Sequence, residues 1–306
     1  MYYSKVTNPR DANQITRAYM DAILVEPRYL DSVVPDITMD LYGHTYASPI
    51  MIAAFSHLNG THPEGMVEMA RGAQLAGVCN WAGMGDIDEL DRILQTGAGT
   101  VKIIKPYQNR DQVFEMISHA EQHGAVAVGL DIDHSFNGRG EHDVVLDLPM
   151  KPVTREELSA FVKATELPFL IKGVLSVQDA VKCQDAGVKG ILLSHHHGIL
   201  PYAVPPLMAL PRIRTAVGDS MDIFVDCGMD TGADVFKALA LGAKAVCVGR
   251  CILPSLHDKG AQGVKEYLEG MAHELRAMMA RTCSKDLAHI APDVLWNSLT
   301  GKPLLG

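Results

Sequence analysis

Eight short apolar runs recur along this chain, and each is followed within a few residues by a longer segment that can form a helix. The runs cover 49–55, 78–82, 101–105, 125–133, 168–172, 190–194, 222–226 and 245–249. Apolar residues at three- and four-residue steps mark helices over 63–76, 111–123, 155–165, 177–186 and 233–241. Several of these segments run into a glycine that stops them, at Gly77, Gly124, Gly187 and Gly242. Buried strands that alternate with helices pair in parallel through right-handed crossovers, and eight such units close most simply into an α/β structure of the (β/α)8 TIM-barrel type. An open doubly wound sheet is the competing arrangement, because strand count alone does not prove closure. At 306 residues the chain exceeds the roughly 250 of a typical barrel, so one domain over 1–306 is expected. In that reading 1–48 caps the base of the barrel, and a long amphipathic helix over about 260–292 precedes a short extension.

Composition narrows the function. Thirty-six acidic residues against 27 basic ones leave a formal charge of −9 without any basic run, which disfavours nucleic acid and leaves a small-molecule substrate. The six cysteines form no C-x-x-C pair, so reduced thiols in a cytoplasmic protein are expected, with no disulfide and no metal. The polar first ten residues and the lack of an 18-residue apolar window imply neither export nor membrane insertion. Met66, Met69, Met271, Met278 and Met279 fall at helical spacing and read as core packing.

In a barrel of this kind the chemistry sits where the strands end. The fourth run closes on Asp131-Ile132-Asp133-His134, where period-two alternation points both aspartates the same way. The fifth ends in Lys172-Gly173, the sixth in Ser194-His195-His196-His197-Gly198, the seventh in Asp226-Cys227-Gly228 and the eighth in Gly249-Arg250. Glycine permits close backbone approach and arginine binds an oxyanion with two donors, so the turns at 228–232 and 249–250 form a phosphate cradle. A phosphorylated cofactor or substrate follows.

These same residues resemble the FMN-dependent 2-hydroxy-acid oxidases and dehydrogenases, the family of glycolate oxidase, lactate oxidase and mandelate dehydrogenase. The resemblance rests on residues 169–175 with Asp179-Ala180 and Ala186-Gly187, on 234–243 leading into Val248-Gly249-Arg250, and on 49–53 with His62-Pro63-Glu64-Gly65, and it spans about 18 to 292. It implies FMN as cofactor and a reaction in which a base takes a proton from the substrate while a hydride passes to the flavin. His196 then matches the base, Asp133 the carboxylate that orients it, and Lys172 the charge that stabilises the reduced ring. The FMN contacts implied are Ala53, Ala54, Gly83, Asp131, Lys172, Ser194, Asp226, Gly228, Gly249 and Arg250. Tyr2 or Tyr3 aligns with the family's N-terminal tyrosine. A homo-oligomer, a tetramer in the family, is implied too, with oxygen, a quinone or a carrier as electron acceptor.

Departures from the family pattern are concentrated at the substrate. Two arginines that clamp the substrate carboxylate align with Phe136 and Ile199, so each loses a charge-assisted contact of about 1.5–3 kcal/mol. Simple acids such as glycolate or lactate are therefore poor candidates. Lys105 stands for a tyrosine, and Arg139 lies a few residues beyond the lost arginine; with His196 and Tyr2 they are the candidate substrate contacts. Ile103 replaces a glutamine, Asp131 a threonine, Gly83 a serine, and Asp230 an arginine at the cofactor. Three other readings of the same residues stay open. Asp131, Asp133, His134, Asp226 and the histidines make a metal-ligand inventory, Lys172 is placed like a Schiff-base lysine, and the lost arginines suit a catalytically inactive barrel subunit.

Overall fold

The computed structural model describes residues 6–305, so Tyr2 and Tyr3 lie outside the described residues. All eight apolar runs are strands: β1 (Ile50–Ile52), β2 (Asn80–Ala82), β3 (Thr100–Ile104), β4 (Ala127–Asp131), β5 (Phe169–Val174), β6 (Gly190–Leu193), β7 (Asp222–Val225) and β8 (Ala245–Val248). From β2 to β8 each strand pairs in parallel with the next, and β8 pairs with β1. The ring closes between β1 and β2, where the Ile52 amide donates to the Cys79 carbonyl at 3.0 Å and Phe55 bridges Ala82. That closure excludes the open sheet.

Inside the ring, the period-two alternation of each strand fills the barrel. Met51, Cys79, Trp81, Val101, Ile103, Ala127, Leu170, Leu192, Phe224, Ala245 and Cys247 form one buried cluster. Two residues further on, the same inward series reaches Ala53, Gly83, Lys105, Asp131, Lys172, Ser194, Asp226 and Gly249. The uppermost inward layer is thus mostly polar, whereas the layers beneath it are apolar. On β5 the pairing with β6 shifts register between Lys172 and Val174, so Gly173 forms a bulge and Val174 turns outward to the helix layer.

The outer layer comprises α1 (Ala12–Asp21), α2 (Gly65–Ala76), α3 (Ile87–Leu94), α4 (Arg110–Gln122), α5 (Arg155–Val162), α6 (Val177–Asp185), α7 (Pro206–Val217), α8 (Gly232–Ala240) and α9 (Leu253–Ala280). Local chemistry sets their starts. Thr154 and Thr231 each make a reciprocal capping box with the acid three residues on, and the Ser176 hydroxyl accepts from the Asp179 amide. Gly77, Gly124, Gly187 and Gly242 all have positive φ, between 66° and 100°, and end their helices as expected.

The two chain ends differ from expectation. The leading segment caps both ends of the barrel, where a cap at the base alone was expected. A hairpin of Met39–Leu41 and His44–Tyr46 plugs the base, with Met39, Leu41 and Tyr46 in the inner cluster. Helix α1 instead lies over the opposite end, at the mouth. The final helical segment, Leu253–Ala280, breaks at Gly260 (φ 55°, ψ −140°), so its long second part starts where expected but ends at Ala280, short of 292. Beyond it the chain returns as Leu295–Asn297, paired antiparallel with Ile23–Val25. Among the described residues no helix is long and apolar enough to cross a membrane.

Candidate active site

The C-terminal ends of the strands surround a cavity of about 560 Å³, bounded by Ala53, Ala54, Lys172, His195, His196, His197, Asp226, Gly228, Gly249 and Arg250, with Asn13, Thr16 and Arg17 from α1. A second cavity of about 260 Å³ adjoins it, reaching Gly83, Ile103, Lys105, Asp131 and His134. Ala54, Phe55, His196 and His197 border both, so the two form one mouth divided by those side chains.

His196 is at its centre. Its Nδ1 lies 2.7 Å from Asp133 Oδ1, 2.9 Å from Lys172 Nζ and 3.6 Å from Asp131 Oδ2. Its Nε2 faces His134 Nε2 at 3.2 Å, and His134 Nδ1 in turn faces Asp143 at 3.2 Å. Lys172 Nζ stands 3.5 Å from Asp131 and 3.7 Å from Asp133, while Lys105 Nζ donates to the other Asp131 oxygen at 2.7 Å. Asp131 and Asp133 do act on the same histidine, but not through strand alternation. The strand ends at Asp131, Ile132 has helical dihedrals, and Asp133 opens a short 3-10 turn. Gly173 makes this approach possible: a Cβ there would sit 2.6 Å from Asp133 Oδ2.

Burial and these charges set the protonation states. Burial and the Lys172 charge push the His196 pKa down, but the hydrogen bonds to Asp131 and Asp133 outweigh them and raise it overall. Burial, reinforced by the Asp131 charge, lifts Asp133 above the usual carboxylate range, although Lys172 opposes this. Asp131 is also buried, yet Lys172, His196 and Lys105 hold it well below that range. Lys172 is buried too, and the facing aspartates keep it protonated with a raised pKa. A lysine held as ammonium is a poor nucleophile, which removes the support for a Schiff base.

Near the phosphate cradle the walls change character. Gly228 (φ +85°) and Gly249 border the cavity beside Arg250, whose Nη2 donates to Asn13 Oδ1 at 3.1 Å. His197 is pushed down to about 4 by burial and by Arg250, and stays neutral there. Asp230 borders the same cavity with Arg17 3.9 Å away, and Arg17 also holds Asp234 through two hydrogen bonds. A carboxylate here repels a phosphate, and the Arg17 charge from α1 offsets part of that repulsion. A guanidinium and glycine backbone at one end, apolar Ala53, Ala54 and Phe55 along the side, and a buried ammonium at the other match a ring system with a phosphate tail. This donor set fits FMN.

Most of the expected site residues meet here, with four qualifications. Ser194 lies beneath the mouth, where its Oγ accepts from the His196 amide at 3.1 Å. Arg139 is exposed in a turn of the loop after β4 and borders neither cavity. Strand alternation alone would turn His195 and His197 to helix or solvent. His195 and His197 both border the mouth; His195 also meets α1 through Thr16 Oγ1 at 2.9 Å, and left-handed backbone at His196 and His197 (φ 45° and 63°) breaks the alternation. Phe136 and Ile199 are 50% and 45% exposed and border neither cavity.

Asn13, Thr16, Arg17 and the pairing of His134 with His196 had not been foreseen. The polar face of α1 signals nothing by itself, since its partners lie far along the chain. Asp133, His134 and His196 do bring ligand atoms within 4.8 Å of one another. Lys172, however, puts an ammonium 2.9 Å from His196 Nδ1 and repels a divalent ion there.

Comparison with known proteins followed the same lines. A family described as FMN-dependent dehydrogenase matches residues 1–160 and 149–297. Glycolate oxidase of Spinacia oleracea is 30% identical, over 95% of this chain and 90% of its own. 4-Hydroxymandelate oxidase of Amycolatopsis orientalis is 30% identical, over 86% and 84%. Among solved structures, a mandelate oxidase mutant with a monooxide FMN adduct superposes with a TM-score of 0.86 at 30% identity, covering 94% of this chain and 92% of that one.

Proposed function

We propose, from the premise that this chain belongs to the FMN-dependent dehydrogenase family, that it oxidises a hydroxylated carbon beside an electron-withdrawing group in a molecule other than a simple 2-hydroxy acid. The enzyme is an FMN-dependent oxidoreductase, and bound FMN supplies the two-electron acceptor. The observation that carries the substrate reading is the charge state of the mouth. Lys105 and Lys172, the cations nearest His196, are already committed to Asp131. Phe136 and Ile199, where the family resemblance puts carboxylate-binding arginines, offer no charge at all. A substrate carboxylate entering here would lose water without gaining a free bidentate partner, whereas a neutral ester or amide carbonyl pays far less.

The roles follow from the geometry. His196 is the base: Asp133 fixes its Nδ1 and favours its cationic form, which leaves Nε2 to take the substrate proton. His134 meets that same nitrogen at 3.2 Å, so its ring has to turn aside for a substrate hydroxyl to reach the base. Lys172 holds a fixed positive charge on the floor of the cavity, and Gly228, Gly249 and Arg250 would hold the FMN phosphate. Anaerobic reduction of the FMN-loaded protein tests both parts. Mandelamide and lactate esters should reduce it faster than mandelate or lactate, and rapid reduction by the free acids refutes the substrate class. His196→Ala should keep FMN but slow reduction by about 10²–10⁴-fold, and an unchanged rate removes His196 from the mechanism.

A further inference from the structure

Away from the mouth, α3 and α4 bring together three side chains that the chemistry above does not use. His119 lies in the last turn of α4 and His123 at its C-cap, four residues on, so both imidazoles fall on one face. The rings stack with centroids 3.8 Å apart and planes 28° apart. Asp91 of α3 turns a single oxygen to both: Oδ1 is 2.7 Å from His119 Nε2 and 2.8 Å from His123 Nδ1. Arg92, the next residue, is drawn to Glu64 at 2.7 Å and leaves Asp91 to the imidazoles.

We propose that Asp91, His119 and His123 bind a divalent d-block cation of the zinc class and thereby clip α3 to α4. Two imidazole nitrogens and one carboxylate oxygen suit zinc and its neighbours, whereas magnesium and calcium ask for oxygen throughout. Tetrahedral bonds of about 2.0–2.1 Å set ligand atoms about 3.3 Å apart. The two nitrogen-to-oxygen distances therefore open by only about half an ångström, within reach of small side-chain rotations. His119 offers Nε2 and His123 Nδ1, all three ligand atoms already lie within 4.8 Å of one another, and a rotation of the half-exposed His123 ring brings its nitrogen to bear on the ion. Side-chain exposures of 27%, 15% and 43% for Asp91, His119 and His123 let an ion enter and let water complete its shell.

This cluster differs in kind from the Asp133, His134 and His196 group, which has a buried ammonium in its midst. Among the described residues, no lysine or arginine pairs with Asp91. The clip also has something to hold. Helix α3 buries only Leu90 and Ile93, and it follows directly on the loop that carries Gly83 and Met84 of the mouth wall.

The test uses FMN-loaded protein, freed of metal by chelation and titrated with zinc by calorimetry, beside His119→Gln and His123→Gln. Wild type should take up one equivalent with micromolar affinity, and about 100 µM zinc should raise its unfolding midpoint by about 4 °C. Both effects should vanish in the two variants, which should retain FMN and unfold like wild type without zinc. Cysteines and the mouth histidines offer zinc other partners, so the variants decide the site. Wild-type uptake no tighter than millimolar overturns the proposal, and so does uptake that persists unchanged in His123→Gln. Should His119→Gln misfold, the more exposed His123→Gln carries the comparison alone.

Discussion

Lys105 and Asp131 both depart from the family pattern, and they meet each other at 2.7 Å with side chains only 10% and 3% exposed. Coulomb's law at an effective dielectric of about 20 gives a gross attraction of about 6 kcal/mol at that distance. Lys105→Met would not leave Asp131 bare, because Lys172 remains 3.5 Å away. The expected loss is therefore at the low end for breaking a buried pair, about 3 kcal/mol. Asp131→Asn sets two buried ammoniums against a neutral amide and should cost about 4 kcal/mol. If the two charges were kept because they neutralise each other, the double variant should lose about 5 kcal/mol rather than the sum, a coupling of about 2 kcal/mol. Equilibrium urea unfolding followed by circular dichroism measures all four corners of the cycle. Additive losses, or a Lys105→Met variant within about 0.5 kcal/mol of wild type, would refute the pairing as the reason for the two departures.

Two further outcomes follow from the same cluster. His196 must be neutral to accept a proton, and its pKa is raised above 6.5, so the rate of FMN reduction should climb through a limb lying above pH 6.5. In Asp133→Asn one of the raising contacts is gone, and the limb should move to lower pH; a limb that stays in place removes Asp133 as the partner of the base. The linked stability has the matching sign. The raised His196 contributes fully below about pH 6.5 and its contribution fades as pH rises through the folded value, whereas the depressed Asp131 contributes above about pH 4 and fades as pH falls. Gly173→Ala combines φ +97° with a methyl 2.6 Å from Asp133 Oδ2, and should destabilise the protein by about 2–4 kcal/mol while slowing FMN reduction by at least about tenfold. Wild-type stability and rate in that variant would show that the close approach is dispensable.

Much of the barrel and its mouth could be read from the chain, because one local rule covers both. The alternation that buries Val101, Ile103 and Leu170 also points Lys105, Lys172, Asp226 and Gly249 inward, so strand ends named residues that line the mouth. Reading failed where position depends on backbone that leaves the regular pattern. Asp133 was placed correctly for the wrong reason, since helical dihedrals at Ile132 carry it to His196. His197 escapes the rule, because left-handed backbone defeats alternation. Arg139 was drawn in by proximity in sequence to the lost arginine, although its turn points to solvent. The Lys105 to Asp131 pair was invisible as a pair: each change reads as a loss alone, and only packing of β3 beside β4 makes them one event.

Helix α1 has a consequence for the order in which the enzyme is assembled. Its contacts at the mouth join Thr16 to His195, Asn13 to His197, Arg17 to Gly228 and Arg17 to Asp234, at sequence separations of 179, 184, 211 and 217 residues. Ordering so long an intervening chain costs entropy that only a nearly complete barrel can repay. Synthesis delivers α1 before the strands it covers, yet its docking surface exists only after β6, β7 and α8 have joined the ring. Helix α1 is therefore the last wall fitted to the mouth, although it precedes every strand of the ring in the chain.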